Sequence, residues 1–207
     1  MSTSSTTKYF SGMTFAGYGI ELRPITPCDL PSLRRWRNSP KIKEHMLDKS
    51  YIGPRQQRLW FEGVKKRADQ AHWVVWSQGV RTGYVNVHGE GDLVRQKQVS
   101  GGYYIADTPG RHGLLGYAAT LMYHDVVFEY ILADLIIDTI LKANKTARQL
   151  NAQIGYCEGV EEDGVSIRVT LHRSDYEEAK KKRFLRRFKD FRCVLIQESI
   201  GVWPSKV

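Results

Sequence analysis

Between the strand-like run "VSGGYYIAD" (residues 99–107) and an apolar run that reads as a helix to about Ile131 lies "TPGRHGLLG", with Gly110, Gly113 and Gly116 three apart. The next segment, "LADLIIDTIL" (residues 132–141), has the length and branching of a buried strand. Strand, glycine loop, helix and buried strand in that order bring several backbone amides to a helix N-terminus beside a sheet, which favours an anion such as a pyrophosphate. A side chain at the glycines would block close approach. The same glycines would also serve a tight turn that packs helix on sheet, and the spacing alone does not separate the two readings. No Lys-Ser/Thr follows the loop, and the acidic ribose partner of a dinucleotide fold is missing about 20 residues on, so ATP and NAD are poor candidates.

The rest of the chain alternates strand and helix signals around this unit. "YGIELRPI" (residues 18–25) reads as a first strand, and "TPCDL" caps a helix through Trp36. "NSPKIKEHM" breaks and restarts a short helix, and "GPRQQRLWFEGVKKR" is another. "HWVVWSQ" and "RTGYVNVHG" form a hairpin pair ahead of the glycine-bearing strand. After the buried strand, "NKTARQLNAQIG" is a helix with an Asn cap and a terminal Gly, and "YCEGVEED" with "VSIRVTLHR" makes a last hairpin around Asp163-Gly164. No linker interrupts the series. At 207 residues it predicts one domain over 18–190, with a flexible tail over 1–17 and another over 191–207.

Composition narrows the function classes. No run approaches the roughly 18 apolar residues of a membrane span, and "MSTSSTTKYFSG" lacks the basic and apolar regions of a signal peptide, so a cytoplasmic location without membrane contact is expected. Cys28, Cys157 and Cys193 are far apart and in no metal-ligand spacing, which predicts neither a disulfide nor a metal site. Much of the net charge of +9 sits in "KKKRFLRRFK" (residues 180–189), which follows the acidic "DYEE". Acid first and base last is the pattern of a solvated terminal helix, favoured here over a nucleic-acid site. A second basic group, Arg34, Arg35, Arg37, Arg55, Arg58 and Lys65, is interleaved with Trp36, Trp60 and Phe61. That mixture suits a pocket for a phosphorylated, ring-containing small molecule, although the same composition would also serve a nucleic acid.

On these motifs the sequence resembles the GNAT superfamily of acetyl-CoA-dependent N-acetyltransferases. The superfamily's cofactor loop has Arg or Gln, two residues, Gly, one residue, then Gly or Ala before a helix; here Arg111-His112-Gly113-Leu114-Leu115-Gly116 supplies the ends, with Leu114 in place of the middle Gly. Asn144, Ala147, Leu150, Asn151, Gly155 and Tyr156 follow the superfamily's second signature, with Asn151 where a Tyr is usual. The likeness spans residues 18–175. It implies an α/β (α+β) fold, a central mixed and largely antiparallel twisted sheet of about seven strands flanked by helices. "LRRWRNSP" and the later "WF" further resemble the sugar-nucleotide N-acetyltransferases of the pseudaminic acid pathway type. These transfer acetyl from acetyl-CoA to the 4-amino group of a UDP-linked 4-amino-4,6-dideoxy sugar, in surface glycan or nonulosonic acid biosynthesis.

What the resemblance implies can be placed on residues. Arg111, Gly113, Leu114 and Gly116 would hold the pyrophosphate of acetyl-CoA, and backbone groups of Tyr104 and Ile105 the pantetheine arm. Asn144 and Asn151 would lie on the cofactor side. Arg37, Asn38, Gln57 and Trp60 would meet the nucleotide-sugar acceptor, Arg37 at its phosphates. The acceptor ammonium must lose a proton before attack, and His88, at a strand end on the acceptor side, is the expected base, with Glu90 second. The departing thiolate gains from an acid. Asn151 can only hydrogen-bond to it, so water, Tyr156 or Tyr117 would donate. A homodimer is compatible with this reading. Two others stay open: a ribosomal-type protein N-terminal acetyltransferase, suggested by the early "LR…DL" segment, and a non-catalytic GNAT-fold binding module, suggested by Leu114 and Asn151.

Overall fold

The computed structural model describes residues 10–106, 114–184 and 193–197. Nine strands form one sheet: β1 (Thr14–Gly17), β2 (Ile20–Pro24), β3 (Gln70–Ser77), β4 (Val80–His88), β5 (Gln98–Ile105), β6 (Leu135–Leu141), β7 (Cys157–Glu161), β8 (Ser166–His172) and β9 (Val194–Gln197). Their spatial order is β7-β8-β6-β5-β4-β3-β2-β1-β9, and every pairing is antiparallel except β5 with β6. Six α-helices accompany it: α1 (Leu30–Asn38), α2 (Pro40–Lys43), α3 (Pro54–Val64), α4 (Leu114–Asp125), α5 (Lys145–Ile154) and α6 (Arg173–Ala179). The mixed, mainly antiparallel sheet is the architecture expected, with nine strands where seven were counted. The two additions are β1 and β9, drawn from the segments expected to be tails. Phe15 of β1 is fully buried, and its register with Leu195 places the C-terminal strand on the sheet's outer edge.

Local chemistry sets the connections. The β1–β2 and β3–β4 turns place Tyr18-Gly19 and Gln78-Gly79 at positive φ, the two-residue turn whose twist matches paired strands. Ahead of α1, Asp29 accepts from the Thr26 amide (2.8 Å) and hydroxyl (2.7 Å) and receives Arg81 Nε at 2.5 Å, which ties the first helix to β4. The Asn144 side chain caps α5 by accepting from the Ala147 amide at 3.1 Å. α4 widens into a π-helical turn over Val126–Ile131 and stops at Leu132, with φ 63.

Alternation along the strands divides the apolar residues between two cores. On one face Phe15, Leu22, Trp73, Val85, Val99 and Ile136 pack with Ala119, Met122 and Ile154 from α4 and α5. On the other Val74 packs with Leu30 and Leu33 of α1 and Phe61 and Val64 of α3, bordered by Trp36, Trp60, Trp76 and Tyr84. Each face of the sheet therefore carries its own helical layer, and what lies between the layers is decided by how the strands pair.

A candidate active site where the sheet splits

β5 pairs with β4 in unbroken register from His88↔Ser100 to Gly83↔Ile105. Its parallel pairing with β6 covers only Gln98↔Leu135 and Val99↔Ile136. Beyond Val99 the two strands separate, so the sheet is split toward the C-terminal end of β5, the end that leads to α4. Which backbone groups line the split follows from the antiparallel ladder. The Ala106 amide donates to Thr82 O at 2.7 Å, so residues of even number bond to β4. Gly101, Tyr103 and Ile105 then turn their amides and carbonyls toward the gap. Ile105 and Tyr103 therefore lie on the edge that faces the gap, whereas the backbone of Tyr104 is committed to Tyr84.

At the closed end of the split the Gly101 amide donates to Asp138 Oδ1 of β6 at 2.8 Å. Continued pairing would have set Gly101 opposite Asp138; the side chain bridges the opening instead. Burial pushes this carboxyl up to about 7, against the lowering effect of the Gly101 bond. Near it stand the phenols of Tyr123 and Tyr156, with the Tyr103 ring 5.8 Å from that of Tyr123. Tyr103 shares a 2.5 Å hydrogen bond with Thr120 Oγ1, and Tyr156 one of 3.1 Å with His124 Nε2. The Tyr123 hydroxyl is buried without a hydrogen-bond partner among the described residues. Sequence reading passed over Asp138, although a lone carboxylate in "LIIDTIL" was itself the signal.

The opposite face presents a different set. His88 contacts the Asn86 amide, and its ring meets that of His72 edge-on at 5.4 Å. His72 Nδ1 is 2.6 Å from the Tyr84 hydroxyl and Nε2 is 3.1 Å from Gln70 Oε1. Burial lowers both histidines, His72 to about 3, and keeps them neutral. Tyr84 and Tyr104 have ring centroids 5.4 Å apart, and Trp60 packs edge-on to His72 at 5.3 Å. Arg37 reaches the same cluster: its charge pulls the Tyr104 phenol down against burial, Nη2 donates to Asp48 O, and Nη1 is buried without a partner among the described residues. His72 and Tyr84 were not singled out from the sequence.

No protein-family profile and no curated protein matches the sequence. Solved structures do match its fold. A nucleotide-linked sugar GNAT, FdhC in its apo form, superposes with a TM-score of 0.70 at 16% identity, covering 84% of this chain and 97% of that one. Spermidine N-acetyltransferase from Vibrio cholerae, in complex with CoA and spermine, gives 0.67 at 17%, covering 77% and 98%. RimJ from Mycobacterium smegmatis, in complex with CoA-disulfide, gives 0.62 at 17%, covering 81% and 91%. The fold is that of the GNAT acetyltransferases.

Within this GNAT fold the expected site residues separate. Arg111 and Gly113 lie outside the described residues. Leu114 opens α4 with 65% of its surface exposed, and a Cβ at Gly116 would meet nothing within 4 Å among the described residues. His88 and Trp60 both meet the His72 ring, and Arg37 lies near Tyr104 on the same face, whereas Gln57 is buried on α3. Asn38 does not join them. Its Nδ2 donates to Ile52 O and its Oδ1 accepts from the Ile52 amide, both at 2.9 Å, so the side chain staples the segment after α2. Asn144 is likewise engaged as a helix cap, and Asn151 lies half-buried on α5. Glu90 is exposed beyond β4. Tyr156 is a poor acid, since burial raises its phenol far above the ordinary range. Among the described residues no group of His, Cys, Asp or Glu is arranged to hold a metal, and no helix is long and apolar enough to cross a membrane.

Proposed function

We propose that this protein is an acetyl-CoA-dependent N-acetyltransferase whose acceptor is the amino group of a nucleotide-linked sugar. The observation that carries the first half is the split itself. Its free β5 edge at Tyr103 and Ile105 offers strand-type hydrogen bonds to an extended amide-bearing arm, as when a peptide adds to a sheet edge. α4, whose first turn holds Gly116, lies at the open end for the pyrophosphate. From Ile105 back to Gly101 is about 13 Å of extended strand, which brings the thioester end of the arm toward the closed end. Support for the cofactor also comes from GNAT-fold structures that contain CoA.

The acceptor half rests on Arg37. A guanidinium nitrogen buried without a partner costs free energy unless a ligand satisfies it, and a phosphate is its natural complement. Trp60, Tyr84 and Tyr104 add ring surfaces for a sugar or base. His88 stands level with Ser100, at the height where the split closes, and in its neutral form takes the proton of the acceptor ammonium. Water and substrate would meet on this face, while the arm of acetyl-CoA fills the gap. FdhC supports a nucleotide-linked sugar, and other GNAT-fold structures carry spermine or ribostamycin, so the acceptor class must be tested directly.

Calorimetry with acetyl-CoA, followed by CoA-thiol release on a UDP-linked 4-amino-4,6-dideoxyhexose, tests the reading. Micromolar binding and thiol release are expected. Undetectable binding would reduce the chain to a non-catalytic module. Turnover on an N-terminal peptide alone would replace the sugar with a protein acceptor.

A further inference from the structure

The base at His88 accounts for one of the two proton movements that acetyl transfer requires. The other belongs to sulfur; Asn151 and Tyr156 are unsuited to it on the grounds above, and the Tyr117 hydroxyl already donates to Gln153 Oε1 at 3.3 Å. Resting on the transferase reading, we propose that Asp138 is the proton donor to the departing CoA thiolate. The carboxyl occupies the one point where the arm along the β5 edge must end, because Asp138 Oδ1 bridges to the Gly101 amide at the closed end of the split. Its strand position is on the same face as Ile136, that is, on the α4–α5 layer opposite His88. A donor on that face meets the sulfur from behind while the amine approaches from the His88 face.

Three further observations agree. The fully buried Tyr123 hydroxyl beside Asp138 lacks a partner among the described residues, which marks a place where a polar atom of a ligand would be satisfied. The groups that act on Asp138 are the phenols of Tyr123 on α4 and Tyr156 ahead of β7, with Tyr103 of β5 beside Tyr123, all held un-ionised by burial. No cation among the causes of its shift forces the carboxyl to stay ionised, and only the Gly101 amide favours the charged form. Asp138 therefore retains its proton into the neutral range, as an acid for this step requires.

The step balances as follows. His88 takes a proton from the ammonium, the free amine nitrogen forms the C–N bond at the thioester carbon, and the tetrahedral adduct breaks its C–S bond. The sulfur electron pair takes the Asp138 proton. The surplus proton on the nitrogen passes back to the Asp138 carboxylate, which restores the acid, and His88 returns its proton to solvent. The sum is one amide, one CoA thiol and one released proton.

The test uses the full-length protein. Acetyl-CoA is first titrated into wild type, where no binding would overturn the transferase reading and this assignment together. Given binding, Asp138→Asn should hold acetyl-CoA within about threefold of wild type, yet its kcat on the UDP-linked amino sugar should fall about 100-fold. The alkaline limb near pH 7 should vanish and the acidic limb remain. Unchanged kcat or a retained alkaline limb overturns Asp138 alone. A measurement on wild type needs neither the variant nor the acceptor: carbon-13 NMR should show the Asp138 carboxyl titrating near pH 7, with the midpoint moved on saturation with CoA. A midpoint below about 5, within the ordinary carboxylate range, or one indifferent to CoA, overturns the assignment.

Discussion

On the α1–α3 face of the sheet His88 of β4, beside β5, and His72 of β3 behind it meet edge-on, and burial lowers them until they lose their proton. On the α4–α5 face the corresponding residue is an aspartate, and burial raises it until it keeps one. The same physical cause acts on both sides, the cost of holding a charge away from water, and it leaves a neutral base facing a neutral acid. Residue type alone decides which of them accepts and which donates. The faces also differ in what they leave unsatisfied: an Arg37 nitrogen, cationic and suited to phosphate, against a Tyr123 hydroxyl, uncharged and suited to a weaker acceptor. A sheet that divides proton acceptance from proton donation in this way can serve a reaction in which amine and sulfur arrive from opposite sides.

The contrast breaks most visibly at His88. Replacing it with Gln should lower kcat by about 10²- to 10⁴-fold and remove the acidic limb of the pH–rate profile; loss of the alkaline limb instead would exchange the roles of the two faces. Asp138→Asn carries the next largest effect, this time on stability. The folded carboxyl titrates near 7 against an ordinary 3.8, so the folded state holds a proton that the unfolded chain has released. Stability is therefore lost as pH rises between those values and the penalty is full above 7. Removing the ionisable group should raise stability at pH 8 by about 2–4 kcal/mol, and by little at pH 4, in denaturant titrations. Arg37→Ala sharpens the acceptor side: KM for the nucleotide sugar should rise roughly 30-fold, about 2 kcal/mol, while acetyl-CoA affinity stays put. On the cofactor side, Gly116→Val should weaken acetyl-CoA about tenfold, near 1.4 kcal/mol, without lowering Tm by more than its helix propensity explains. Tyr123→Phe is expected to cost least, shifting stability by under about 1 kcal/mol, because no hydrogen bond is lost among the described residues.

Much of this was legible in the sequence because it is local. The Gln78-Gly79 and Asp163-Gly164 turns declare their hairpins, and Asn144 and Gly155 bracket α5 as read. β1 and β9 escaped because each is four residues long and "TFAG" offers no clear alternation; what makes them strands is Trp73 packed on Phe15 and the pairing of β9 along β1, which is tertiary information. The split itself could not be read, since nothing in "LIIDTIL" says that only its first rungs will pair. Asn38 shows the opposite failure. Its place in "WRNSP" suggested a substrate contact, but both ends of its amide serve the backbone 14 residues downstream. Asp138 went unremarked in the sequence, because its meaning depends on where β5 leaves β6.

The pairing of Thr14 with Gln197 has a bearing on how the fold is reached. These partners lie almost the full length of the chain apart, so closing that contact carries the largest loop-entropy cost in the sheet. β1 can settle on β2 early, through a turn of two residues, but its other side must wait as an unpaired edge until β9 arrives. A chain shortened before Val194 would never cover that edge, and the interval before it is covered is when intermolecular pairing competes with correct folding.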